Sequence, residues 1–340
     1  RPTNQRIPSH SLTPSLPLPR IMAALDLLGF GTMEYSCGSH GPEALFDATK
    51  HALATGFRHI DTAEMYTSTN EHVARAIAES GVPRDQLFVT SKLSGLPLGT
   101  IDDVVARTQA LLTQMRLEHF DLLLIHWPGP SELNLATQSP DEVTAACSFE
   151  WFATHIAEAW RNMLELQRRG LTRHIGVSNF YRRHIDELLR HFPDVAHRPF
   201  ANQIFIDIAH QEREFVAYLE SLNVRVIAYR PVAFVNALAM LESMGDSDAT
   251  AAIAAAHAAT NIQSAHQLVL ATLMARGIAV LVKSSSPEHI AENYAARSLT
   301  IPDASSLLIE LDNNETIAMC GAFDEYAAAF KAAATDDASQ

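Results

Sequence analysis

Cysteine, basic charge and long apolar runs are all scarce in this chain, and each shortage removes a class of function. Three cysteines, Cys37, Cys147 and Cys320, stand far apart in 340 residues. Their odd number and wide spacing give neither a disulfide framework nor a metal-ligand pattern. Free thiols in a reducing compartment follow, which points to the cytoplasm. Lys and Arg number 25 against 39 Asp and Glu, a net charge of −14. That balance argues against nucleic acid and against anionic membrane surfaces as partners; it leaves room for a local basic pocket that takes a small anion. No apolar run approaches the roughly 20 residues of a spanning helix. A third glycine is also missing: after the first apolar strand the chain reads Gly29-Phe30-Gly31-Thr32-Met33-Glu34, which stops short of the dinucleotide fingerprint G-x-G-x-x-G.

What is present is 47% hydrophobic residues, ample for a sizeable core, arranged in a regular alternation. Short strands are expected at Leu27 to Phe30, Phe57 to Asp61, Leu87 to Lys92, Phe120 to Ile125, His174 to Val177, Phe200 to Ile204, Val224 to Tyr229 and Ile278 to Val282. Phe120 to Ile125 is nearly all apolar, as a strand buried on both faces should be. Helices are expected at Pro42 to Ala54, Thr69 to Glu79, Ile101 to Met115, Phe149 to Arg169, Arg183 to His191, Glu212 to Leu222, Ser264 to Ala275 and from Pro287 to Asn293, with a further Ala-rich helix over Ala249 to Thr260. Ser68 and Glu71 form an S-x-x-E capping box ahead of the second helix. Two connections are long, Trp127 to about Ser148 and Arg230 to about Asp248.

Eight strands alternating with helices predict an α/β fold, a (β/α)8 TIM barrel with long loops at its C-terminal face. Residues 25–340 read as that single barrel with an irregular C-terminal tail. Residues 1–24 read as a Pro/Ser-rich extension, flexible and partly folded across the barrel's bottom. The first twenty residues are Arg- and Ser-bearing and free of acid, as transit peptides are, but their five prolines break the amphipathic helix such peptides need.

In a barrel, chemistry sits where strands end. Asp61 ends strand two and Tyr66 follows it; Lys92 ends strand three; His126 ends strand four. Singly, Asp61 would be a helix cap, Tyr66 a rim aromatic, Lys92 a solvated cation and His126 a buried imidazole. Together on one rim they make a proton donor. A phenol near pKa 10 is a poor acid, a nearby ammonium lowers that value, and a carboxylate keeps the ammonium charged and placed. Asp61 would hold Lys92, Lys92 would tune Tyr66, and Tyr66 would protonate a carbonyl oxygen that His126 orients. The four are no plausible metal set.

These residues, in GFRHIDTAEMY, VTSKL and LLLIHWP, resemble the aldo-keto reductase superfamily. The likeness runs from about Leu27 to Asn293 and includes GVSNF at Gly176 to Phe180, Asn202-Gln203, and KSSSPEHIAEN at Lys283 to Asn293. It implies a monomeric barrel that reduces an aldehyde or ketone with a nicotinamide cofactor. Carried over by motif, Ser178, Asn179 and Gln203 would bind the carboxamide, and Tyr229 would stack beneath the ring. Gly31, Thr32 and Asp61 would also face the cofactor, and Trp127 would be the substrate-pocket indole. Lys283 and Ser284, before a helix N-terminus, would grip a ribose 2′-phosphate, which favours NADPH. Glu292 and Asn293 would contact adenine.

The chain departs from that pattern in places. His289 stands where NADP-preferring members carry Arg, so NADH would be partly accepted. Strand seven leads into Tyr229-Arg230-Pro231-Val232-Ala233 in place of Tyr-Ser-Pro-Leu-Gly; Arg230 would bind pyrophosphate or alter the covering loop. Met33 replaces a common pocket Trp and would reshape one wall. Asn202-Gln203 continues as Ile204-Phe205-Ile206-Asp207-Ile208, which lacks the usual Glu, His and Pro. Two other readings stay open at this point: a cofactor-binding regulatory subunit built on the same barrel, and a barrel isomerase or aldolase using Lys92 as a Schiff base, which the paired Asp61 disfavours.

Overall fold

The structure, a computed structural model, describes residues 25–33, 41–66, 69–130, 148–208, 210–233, 235, 262 and 264–300. Among them the strands are β1 (Leu28–Gly31), β2 (His59–Asp61), β3 (Phe88–Leu93), β4 (Phe120–Ile125), β5 (Thr172–Ser178), β6 (Ala201–Phe205), β7 (Arg225–Tyr229) and β8 (Ala279–Val282). Every neighbouring pair is parallel, and β8 pairs with β1 to close the barrel. The helices are α1 (Pro42–Thr55), α2 (Asn70–Glu79), α3 (Ile101–Met115), α4 (Phe149–Arg168), α5 (Arg182–His191), α6 (Arg213–Ser221), α7 (Ala265–Ala275) and α8 (Pro287–Ala295). The expected (β/α)8 barrel is therefore present. Residues 1–24, the Ala-rich stretch over 249–260 and the tail beyond 300 lie outside the described residues.

The two faces of each strand have different work. Along β4 every residue is buried. Leu123 and Ile125 join the large cluster between sheet and helices, while Leu122 and Leu124 meet Leu25, Ala201, Ile227, Ala279 and Leu281 inside the barrel. This double burial explains the nearly unbroken apolar run: every position along the strand faces a packed interior. Beneath the rim the interior is packed, and polar groups there, His59 and Thr90, bond each other at 2.9 Å.

Local signals set most helix starts. Thr100 and Asp103 form a reciprocal capping box on α3, Ser148 caps α4, Ser264 caps α7, and Ser286 with Pro287 opens α8. Helix α2 differs from expectation. It begins at Asn70, and its N-cap, Thr69, makes no side-chain cap bond. The Thr69 hydroxyl instead donates back to the Tyr66 carbonyl at 2.8 Å. The expected Ser68–Glu71 box includes Ser68, which lies outside the described residues. Strand boundaries differ from the expected ones by one or two residues, as at β1, where Leu27 is exposed and the strand starts at Leu28.

Among the described residues no helix is long and apolar enough to cross a membrane. Close approach inside the barrel depends on Gly176 of β5. A Cβ there would stand 2.5 Å from the Ala201 carbonyl oxygen and 2.7 Å from the Leu124 side chain. Gly176→Ala is expected to destabilise the fold by about 1–3 kcal/mol through overpacking. Urea unfolding should show a lower midpoint with an unchanged slope.

Candidate active site at the barrel mouth

The parallel register delivers polar side chains to one rim. Asp61 is the last residue of β2, Lys92 the penultimate residue of β3, and His126 follows the end of β4. The Lys92 ammonium lies 2.6 Å from Asp61 Oδ1 and donates to the Thr62 carbonyl at 2.9 Å. Both side chains are sealed, with relative exposures of 1% and 5%. Burial lowers the Lys92 pKa, and Asp61 opposes that shift. The other Asp61 oxygen, Oδ2, accepts the Gln203 side-chain N–H at 2.8 Å. That bond, spanning 142 residues of sequence, is one that no sequence pattern announces.

Tyr66 sits on the loop between β2 and α2. The Lys92 ammonium is 5.2 Å from the centre of its ring. The His126 ring stands edge-on to it, centroids 6.1 Å apart, and stacks on Trp127 at 5.8 Å. His126 is buried, and its Nδ1 has no hydrogen-bond partner among the described residues. Burial first, and the Lys92 charge second, hold its pKa well below the ordinary value, so it is a neutral imidazole.

A second group is bonded to the first. Ser178 Oγ donates to the Gln203 carbonyl at 2.8 Å. Asn179 takes a left-handed conformation, φ 62°, which Asn tolerates better than most residues. Its Nδ2 donates to the His126 carbonyl at 2.9 Å, and its Oδ1 accepts the Tyr229 hydroxyl at 2.8 Å. Below this turn, His184 accepts the Tyr181 N–H at 3.1 Å. Burial, and then Arg183, push the His184 pKa down to about 3, so it stays neutral and keeps α5 capped beneath Ser178 and Asn179.

A cavity of about 380 Å³ opens over these residues. Its walls include Gly31, Met33, Asp61, Tyr66, His126, Trp127, Ser178, Asn179, Gln203, Tyr229, Arg230 and Lys283. Pro231, Val232, Ala233, Leu281 and Val282 complete it and were not singled out from sequence. Arg230, also left-handed at φ 54°, and Lys283 bring positive charge to this mouth. The Lys283 ammonium donates to the Met33 carbonyl.

Five of the expected cofactor residues do not line the cavity. Thr32 is buried and turned onto β2, where its hydroxyl donates to the Asp61 carbonyl at 2.9 Å. Ser284, His289, Glu292 and Asn293 sit at or on α8, a step beyond Lys283. There the Ser284 hydroxyl accepts the Ser286 N–H, and the His289 N–H donates to Ser286 Oγ. Among the described residues no group of three or more His, Cys, Asp or Glu is placed to hold a metal ion.

A sealed carboxylate–ammonium pair beside a phenol and a neutral imidazole suits a barrel enzyme that works by proton transfer. The sequence profile of the Aldo/keto reductase family matches residues 27–310, and the chain belongs to that family. Aldehyde reductase YPR1 of Saccharomyces cerevisiae is 33% identical over 289 residues, which cover 83% of this chain and 85% of that protein. Methylglyoxal reductase DkgB of Escherichia coli O157:H7 is 30% identical over 296 residues, covering 86% and 96%. The crystal structure of the Bombyx mori aldo-keto reductase AKR2E4 in complex with NADP is similar at TM-score 0.64 and 27% identity, covering 90% of this chain and 89% of that one.

Asp61→Ala should leave the sealed Lys92 without its counter-ion and destabilise the protein by about 3–5 kcal/mol. Adding Lys92→Met should restore most of the loss, as read by urea unfolding of the single and double variants. Equal losses in both would show that the pair is not coupled.

Proposed function

We propose that this chain is an NADPH-dependent carbonyl reductase that converts an aldehyde or ketone to an alcohol, with Tyr66 as proton donor. The observation that carries this reading is the sealed Asp61–Lys92 pair set against Tyr66 and His126 in one cavity. The reduced nicotinamide, when bound, supplies the hydride that the carbonyl carbon accepts. The Tyr66 hydroxyl gives its proton to the carbonyl oxygen as that oxygen gains charge. The Lys92 ammonium stabilises the phenolate left behind, and Asp61 keeps the ammonium in place. Neutral His126 orients the carbonyl by donating a hydrogen bond to the same oxygen, which a ring held below its ordinary pKa does without adding a second cation.

The residues present fit a nicotinamide dinucleotide. Tyr229 offers an aromatic face, Ser178, Asn179 and Gln203 offer hydroxyl and amide groups at the carboxamide end, and the Gly31–Thr32 backbone and Asp61 border them. Arg230 is the candidate for the pyrophosphate; Lys283 and Ser284, with His289, for the 2′-phosphate; Glu292 and Asn293 for adenine. Met33 and Trp127 would shape the substrate side. We read the working protein as a monomeric single barrel in the cytoplasm with a Pro/Ser-rich extension over residues 1–24. The aldehyde and methylglyoxal reductases among its relatives, and the NADP of the Bombyx mori complex, support this reading.

Purified protein should consume NADPH with a panel of small aldehydes and ketones; no consumption across the panel would end the proposal. Tyr66→Phe should lower kcat by roughly 10²- to 10⁴-fold while nucleotide affinity stays unchanged in fluorescence titration. His289→Arg should raise the preference for NADPH over NADH by about fivefold, measured as the ratio of their dissociation constants. An unchanged ratio would mean that Lys283 and Ser284 already saturate the contact.

A further inference from the structure

One charged assembly at the rim is not used by the chemistry above. Glu64 lies three residues after Asp61 and two before Tyr66. Its backbone N–H donates to the Lys92 carbonyl at 2.9 Å. Its carboxylate receives Arg107 as a fork, Nε to Oε1 at 2.8 Å and Nη2 to Oε2 at 2.6 Å. Oε2 also accepts the backbone N–H and the hydroxyl of Ser94, both at 2.8 Å. Arg107, on α3, donates from Nη1 to the Leu98 carbonyl at 2.9 Å. One carboxylate thus fastens the loop that carries Tyr66 to the loop that leaves β3 just after Lys92, and ties both to a helix.

An ordinary surface ion pair would be a single, mobile contact between two exposed side chains. This one is half-sheltered, with side-chain exposures of 24% and 32%, and its geometry is bidentate. Burial works to raise the Glu64 pKa, but the bonds from Arg107 and Ser94 outweigh it and the net shift is downward. The inner side of the same loop is braced independently by Asn70, whose Nδ2 donates to the Ala63 carbonyl at 3.1 Å. Between these two braces lies the turn that ends at Tyr66, whose N–H bonds the Ala63 carbonyl at 3.0 Å. The ionisable groups around Tyr66 are Asp61 on β2, Lys92 on β3 and His126 after β4, with Glu64 and Arg107 behind the loop. In a dry site the attraction between ammonium and phenolate depends steeply on their separation.

We propose that the Glu64–Arg107–Ser94 clamp sets the separation of the Tyr66 phenol from the Lys92 ammonium, which makes Glu64 and Arg107 positioning residues for the proton transfer. The inference rests on the reductase reading for the use of that proton. Its effect on Tyr66 itself needs no turnover.

The test is the charge-balanced double variant Glu64→Gln/Arg107→Gln, with Arg107→Lys as the conservative partner. Net charge is unchanged in both, so long-range electrostatics barely move. Titration of tyrosine absorbance, with Tyr66→Phe in each background as the subtraction, should place the Tyr66 midpoint higher in the double variant. kcat should fall by roughly tenfold or more, and the limb of the kcat–pH profile set by Tyr66 should move the same way, while nucleotide affinity stays within twofold. Arg107→Lys should fall between. A wild-type midpoint and kcat in the double variant would overturn the clamp, even if thermal stability drops. A shifted midpoint in a protein that reduces no carbonyl would uphold the clamp and sink the reductase reading.

Discussion

The sealed Asp61–Lys92 pair is a costly contact, and much of the barrel's upper rim is arranged to sustain it. Removing two charges from water carries a penalty of several kcal/mol per ion, which only close geometry and further hydrogen bonds offset. Here the 2.6 Å contact, the Thr62 carbonyl and the Gln203 amide supply them from β2, β3 and β6. Apolar residues of like volume would be as stable or more so. Retaining the charged pair beside Tyr66 and His126, in the cavity they line, therefore points to use rather than to stability. The pair also constrains the fold: β2 and β3 must stay in register, Asp61 opposite Thr90, for carboxylate and ammonium to meet.

The parts of this arrangement that follow a short period were legible in the sequence. The alternation of strand and helix gave the barrel, and strand ends gave the positions of Asp61, Lys92 and His126, because a parallel barrel sends every strand end to one face. Helix α3 was legible to the residue, Ile101 to Met115, and the structure shows Thr100 and Asp103 capping it and Arg116 left-handed at its end. Ahead of α2 the Thr69 hydroxyl bonds back to the Tyr66 carbonyl, so the loop closes on itself just before the helix begins at Asn70. Long-range polar contacts were illegible. Glu64 meets Arg107 across 43 positions and Gln203 meets Asp61 across 142, with no periodicity to announce either. The roles assigned to Ser178, Asn179 and Tyr229 came from family resemblance; the hydrogen bonds that join them to His126 and to each other are visible only in three dimensions.

Polar ties and apolar wall meet at the mouth. Strand ends and short loops carry the proton-transfer group, tied at two levels by Asn70 and Glu64. Met33, Trp127, Val232 and Ala233 supply apolar wall to the same cavity. Lys283, by bonding the Met33 carbonyl, links the loop after β1 to the loop after β8 at the place where first and last strands meet. The seam of the barrel and its basic corner are thus the same place.

The Gln203 amide has a polarity that its neighbours leave no choice about. A carboxylate accepts and cannot donate, so Gln203 turns its nitrogen to Asp61. Its side-chain oxygen is left as an acceptor on a residue that lines the cavity. A group that brings an N–H or O–H can bond it there. A pyridine ring bearing an amide is such a group, whereas the same ring bearing an ionised acid would set oxygen against oxygen. The orientation of one buried amide is thus set by its aspartate partner, and with it the polarity that Gln203 turns to the cavity.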